Sequence, residues 1–248
     1  MDWYGHNGVL NNCNFINNQA AYGGSIWWTG TNGTLSSSNF TNNYAVRGGS
    51  VWWTGTNGTL SSSYFTNNSV SRYGAGIYWE GANGRLIDST FVNNLASRYS
   101  GGAIRWNGAN GYVTGSIFIN NTASSSGGGI LWNGANGILI DSKFKDNNAL
   151  NGGAVCWNNI SGSIINCDFN NEWTKSNGIY FNYDLTISDG KGVVDIVNND
   201  SLLLEISIVV LNNETYYYPP NTNINFLKEY SGFFYSTFLL LIFIFYHY

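Results

Sequence analysis

A period of about 25 residues, present in seven copies, constrains this chain more than any other feature. Tryptophans at Trp3, Trp28, Trp53, Trp79, Trp106, Trp132 and Trp157 are each followed 12 residues later by a phenylalanine, at Phe15, Phe40, Phe65, Phe91, Phe118, Phe144 and Phe169. The return from each Phe to the next Trp varies from 13 to 15 residues. Length changes are therefore confined to one loop, on one edge of a stack. A unit this short cannot bury an apolar face alone and has to stack on copies of itself. Propeller blades, at roughly 40 residues, are too long, and the leucine-rich pattern is absent.

Within a copy, Gly-x-Ile-x-Trp alternates with period 2 and ends at Gly-x-Asn-Gly, as at Gly30 to Gly33 and Gly55 to Gly58. Asn-Gly tolerates positive φ and marks a turn. A short apolar strand carrying Leu35, Leu60 or Leu86 follows, then a polar corner, then Ser/Cys-x-Phe and a paired Asn. Three strands and three turns per copy predict one coil of a right-handed parallel β-helix, an all-β, pectin-lyase-like solenoid of about seven coils. Composition agrees, because Gly, Asn, Ser and Thr are abundant while helix formers are scarce.

Parity assigns the columns. Ile26, Val51, Ile77 and their equivalents share a face with the Trp column and should point inward. Cys13, Ser38, Ser63, Ser89, Ser116, Ser142 and Cys167 share parity with Phe and should also lie inside. Cys13 and Cys167 then sit six coils apart, about 29 Å at strand spacing, beyond disulfide reach. With Cys156 they are expected to be free thiols. The Asn pairs, such as Asn42-Asn43 and Asn67-Asn68, should stack at the corner with their amides bonded between coils.

These residues resemble a family, the adhesin-like surface proteins of methanogenic archaea, whose repeats carry Gly-Gly-x-Ile-x-Trp and Cys/Ser-x-Phe-x-Asn-Asn. The Gly-Gly-Ala-Ile and Phe-x-x-Asn signatures are similar to those of chlamydial polymorphic outer-membrane proteins. The resemblance covers residues 1–181 and departs from pattern at Ala75, Ser161 and Lys145-Asp146-Asn147. It implies a non-enzymatic β-helix stalk at the cell surface, with glycans or surface proteins of other cells as partners.

The chain enters a coil at Trp3 with no preceding Gly-Gly strand and no basic-apolar leader. Further coils and an export signal are therefore expected upstream. Residues 1–181 are read as the repeat domain, 182–218 as closing strands and cap, and 219–248 as linker and apolar tail. The run Phe233 to Tyr248 is a candidate membrane anchor, a little shorter than the roughly 20 residues a spanning helix needs.

Chemistry is sparse. Ten Lys+Arg against 14 Asp+Glu give a net charge of −4, so no basic field attracts nucleic acid. The alternative to an adhesin is a carbohydrate-active enzyme, a polysaccharide lyase or glycoside hydrolase. A hydrolase needs two carboxylates roughly 5–10 Å apart. Asp88 and Asp141 share a column about 10 Å apart, but in the company of Asn12, Ser37, Ser62, Gly115 and Asn166, a turn-capping position. His6 and His247 lie near the chain ends, so no catalytic triad forms within the coils. No catalytic residue, metal site or cofactor is assigned, and no calcium nonapeptide is present.

A contact face is better supported. The outward position of the first strand reads Trp27, Trp52, Tyr78 and Arg105, expected as exposed rings followed by a cation. Edge loops carrying Arg47, Arg72 and Arg98 line the strip. Sequons at Asn32, Asn57, Asn159 and Asn213 are candidate glycosylation sites, with Asn67 and Asn120 expected to be less accessible at the corner.

Overall fold

The computed structural model describes residues 1–159, 161–170, 178–182, 185–192, 195–198, 207–211, 214–218 and 223–225. It is a parallel β-solenoid of about seven turns, about 25 residues per turn. The seven Trp-bearing strands, from Asp2–Trp3 through Ile26–Trp28, Val51–Trp53 and Ile77–Trp79 onward, form a ten-stranded sheet together with Ile179–Phe181, Asp195–Asn198 and Asn223–Asn225. Equivalent residues face each other across coils, Trp28 beside Trp53 and Trp53 beside Trp79. The Leu-bearing and Phe-bearing strands stack the same way, Leu35 beside Leu60 and Phe40 beside Phe65.

Strands of three residues end where they do because left-handed corners interrupt them. One coil turns at Asn32 (φ 56°), Ser37 (φ 49°), Asn42 (φ 55°) and Gly48 (φ 60°). Asn, Asp and Ser tolerate this conformation through local hydrogen bonds, which is why the corner columns are written in those letters. In the Asn-Gly pair the Asn, not the Gly, takes the positive φ. Gly33 is there for room, since a Cβ on it would lie 2.4 Å from the Trp28 indole. The same approach recurs at Gly84 against Trp79, so each indole edge is seated on bare backbone.

The inward columns stand as parity predicts. Six indoles from Trp28 to Trp157 and six phenyl rings from Phe40 to Phe169 are fully buried. Neighbouring rings stack, for example Trp53 on Trp79 at 4.8 Å and Phe40 on Phe65 at 4.6 Å. Ser38, Ser63, Ser89, Ser116 and Ser142 are buried beside the phenyl column, each hydroxyl accepting a backbone N–H from the coil before it. Cys167 fills the same slot at 0% exposure and Cys13 is half-buried, and with Cys156 both are free thiols.

The Asn pair divides its work. The second member is buried as Asn43, Asn68, Asn94, Asn121 and Asn147. Asn94 is typical: its Oδ1 accepts from the Asn68 backbone N–H at 3.1 Å and from Asn68 Nδ2 at 3.0 Å, while its own Nδ2 donates to Phe65 O at 2.9 Å. The first member, as at Asn67, is the exposed left-handed corner.

The expectation of three strands per coil is corrected to four over much of the stack. Gln19–Tyr22, Tyr44–Arg47, Ser69–Tyr73, Leu95–Ala96 and Thr122–Ala123 make a five-stranded edge sheet inside the variable-length segment. Its inward residues are small. Val70, Ala96 and Ala123 cluster with Ala75 and Ala149 in a minor core of their own. Beyond the coils, Ser207–Leu211 and Glu214–Tyr218 pair antiparallel, a departure from the solenoid pattern.

Candidate functional site

The outward column of the Trp sheet runs Trp27, Trp52, Tyr78, Arg105, Leu131 and Cys156 in register. Parity predicts exposed rings here, and the structure corrects that expectation. Trp27 and Trp52 are half-buried, while Tyr78 is 5% exposed. The edge sheet supplies the cover. Its column of Tyr22, Arg47, Tyr73 and Ser100 stands immediately before the Gly-Gly turn, where the chain bends back over the Trp sheet.

Tyr22 tilts onto Trp27 and Trp52 at 6.1 and 4.9 Å. Tyr73 covers Tyr78 at 6.0 Å and meets Tyr99 at 5.4 Å. The Arg105 guanidinium lies 4.1 Å from the Tyr73 ring centre and 5.7 Å from that of Tyr78, and Arg47 lies 6.0 Å from that of Tyr22. Cations over ring faces are held by the quadrupole of the aromatic system. The result is an aromatic and arginine cover spanning several coils.

Trp27 and Trp52 stack at 5.0 Å with planes 8° apart, so their faces meet each other. Sugar rings stack on open aromatic faces, and this pair offers edges instead. The rings most open to solvent at this edge are Tyr22 and Tyr99, 44% and 45% exposed. Arg72 and Arg98 are exposed, whereas Arg47 and Arg105 are half-buried. Sequence reasoning left out Tyr22. Its signal was position, directly before Gly23 as Arg47 stands before Gly48 and Tyr73 before Gly74.

One carboxylate lies under the cover. Glu80 accepts from Trp52 Nε1 at 2.6 Å and acts on the neighbouring Tyr78 phenol, while Asn107 Nδ2 donates to the Tyr78 oxygen at 2.9 Å. Burial first, and Glu80 second, push the Tyr78 phenol up to about 12. Burial likewise pushes the Cys156 and Cys167 thiols up to about 12. The unfolded chain ionises these groups earlier, so it gains on the folded state once pH passes a free thiol's value of about 8.5. Stability from these three groups is full below that point and lost as pH rises towards about 12. Melting temperatures are expected to hold level from pH 6 to 8 and to fall progressively above about 9; a level profile to pH 11 refutes the burial of these groups.

The remaining candidates occupy structural positions. Asp88 and Asp141 are exposed left-handed corners (φ 48° and 53°), and Asn166 Nδ2 donates to Asp141 Oδ1 at 2.7 Å. Among the described residues no group of three or more His, Cys, Asp or Glu is placed to hold a metal. His6 Nδ1 accepts the Thr31 backbone N–H at 3.2 Å. The sequon residues Asn32 and Asn57 are exposed but tied into an amide ladder, Asn57 Nδ2 to Asn32 Oδ1 at 3.1 Å. Asn67 and Asn120 are exposed as well, contrary to the expected difference. Asn159 Nδ2 donates to Asn133 O at 2.6 Å. Asn213 and the run Phe233 to Tyr248 lie outside the described residues. Among the described residues no helix is long and apolar enough to cross a membrane.

The stretch from Gly115 carries one core phenylalanine, Phe118, then the buried ladder residue Asn121, the left-handed Gly127, and the inward Ile130 of the next coil. Residues 115–131 match the Chlamydia polymorphic membrane protein repeat. The matched stretch spans most of one coil: the Phe strand, the Asn corner, the edge strand Thr122–Ala123 and the entry to the Trp sheet. Its Phe-x-x-Asn and Gly-Gly-x-Ile letters are thus a core ring, a corner ladder and a chain reversal. No curated protein and no solved structure matches the chain.

Proposed function

We propose that this chain is a non-enzymatic, adhesin-like protein of the cell surface, a rigid β-helix stalk that presents the edge cover as its contact face. The observation that carries this reading is the continuous cover of Tyr22, Tyr73 and Tyr99 with Arg47 and Arg105, built on the sole variable-length segment of each coil. Loops held on a rigid scaffold, enriched in Tyr and Arg, are where recognition concentrates. The match to a repeat of chlamydial membrane proteins, and the resemblance to the methanogen adhesin-like proteins, support a place at the surface. The run Phe233 to Tyr248 is the segment proposed to anchor it.

The partners are surface glycans or proteins of other cells, met through several weak contacts that add along the stalk. The chain is expected to bind such cells, and a Tyr22→Ala, Tyr99→Ala, Arg98→Ala variant to lose that binding while its circular dichroism stays unchanged. All three side chains are exposed, so the fold does not depend on them. Undiminished binding by the folded variant removes the cover from the reading. Release of sugar fragments from a polysaccharide by the parent chain overturns the non-enzymatic assignment and restores the lyase or hydrolase alternative.

A further inference from the structure

The edge cover is cationic on an otherwise acidic protein. Four of the chain's five arginines, Arg47, Arg72, Arg98 and Arg105, stand on or beside it, against a net charge of −4 overall. Among the described residues none of these guanidinium groups is ion-paired. The nearby carboxylate, Glu80, is engaged by Trp52 and Tyr78. Arg105 spends its Nε on Asn107 at 3.2 Å and leaves its terminal N–H groups without a hydrogen-bond partner among the described residues. Donors therefore exceed acceptors over the whole face.

One arginine comes from each of three successive coils, at positions that slip by one residue per coil. The edge column pairs Arg47 with Tyr73 and Tyr73 with Ser100, so Arg47, Arg72 and Arg98 arise from three successive coils within two residues of one register. Successive coils are about 4.8 Å apart along the axis. A ligand lying along the axis meets one arginine per coil, whereas a ligand lying along a strand meets one or none.

From this arrangement we infer that the ligand of the edge cover is a polyanionic glycan, a polysaccharide with a carboxylate or sulfate on its successive sugars, lying parallel to the solenoid axis. This rests on the contact-face reading above and adds its ligand class. Guanidinium groups recognise carboxylate and sulfate oxygens through paired N–H donors. A peptide strand fits less well. The backbone groups of the edge strands run along the axis and bond the coils above and below, as Tyr44 N–H to Asn18 O at 2.9 Å and Ser69 N–H to Asn43 O at 2.9 Å. No free strand edge runs along this face for an acidic peptide to extend. A glycan needs no such pairing, and its hydroxyls match the Tyr22 and Tyr99 phenols and the corner amides.

The test uses the full chain with four immobilised probes: dextran sulfate, alginate, neutral dextran and poly-L-glutamate. Dextran sulfate and alginate are expected to bind, with affinity falling as salt is raised, and dextran not to. The doubly exposed variant Arg72→Glu, Arg98→Glu is expected to lose about tenfold or more in affinity for both, with its melting temperature unchanged. Arg85→Glu, a charge reversal at the remaining arginine, outside the edge sheet, is expected to change nothing. Equal binding of dextran and dextran sulfate overturns the inference, and so does poly-L-glutamate binding as tightly as alginate. Failure of both polyanions to bind also overturns it. If cells are still bound in that case, the contact-face reading stands without this ligand; if they are not, both fall.

Discussion

Trp79→Ala is expected to lower the unfolding free energy by about 3–5 kcal/mol, read from urea denaturation of the full chain. The indole is 0% exposed and lies between Trp53 at 4.8 Å and Trp106 at 4.6 Å. Its edge rests on Gly84, where a Cβ would come within 2.3 Å of Nε1. Removing it leaves a cavity that cannot collapse, because the backbone around it is fixed by pairing to the coils on either side. Trp27→Ala, half-buried on the outward face, should cost much less. If the two substitutions cost the same, the inward column is not the source of stability.

The second large effect belongs to a polar residue. Asn94→Leu keeps the branched shape of the side chain but takes one hydrogen bond each from Asn68 N–H, Asn68 Nδ2 and Phe65 O in a buried corner. Each partner lost in a buried site costs about 1–3 kcal/mol, giving on the order of 3–9 kcal/mol for the three. The comparison is one residue away. Asn93→Ala, at an exposed left-handed corner, should cost only about 1–2 kcal/mol, the strain of an ordinary residue at positive φ. A loss at Asn94 no greater than at Asn93 would show that the ladder is not buried. The result matters because the order of effects reverses the usual one, with an amide as costly to lose as a large ring.

Sequence made the coil legible because two independent periods coincide in it. The 12-residue step from Trp to Phe never varies, and alternation within each strand assigns Ile26, Trp28, Ser38 and Phe40 to the interior without reference to coordinates. The edge strand escaped because its inward residues are small and unequal. Ala45, Val70, Ala96 and Ala123 do not read as an apolar column, and the segment holding them changes length. The face of the candidate site was legible in position but not in exposure. Parity places Tyr78 outside, and parity alone cannot know that Tyr73, five residues earlier, folds over it. The role of Gly33 was hidden for a related reason, since the atom that excludes a side chain there belongs to Trp28, a contact that only three-dimensional packing reveals.

The hydrogen bonds that join one coil to the next lie along the axis of the stack, and the ladders of Asn43, Asn68 and Asn94 lie along it too. Tension applied end to end therefore pulls each of those bonds apart rather than sliding strands past one another. Such a rod yields by shedding its outermost turn while the rest stays intact, and each turn of about 25 residues releases on the order of 80 Å of slack. Mechanically the protein is a wound spool, and a load held by its far end would be let out in measured lengths instead of being torn loose.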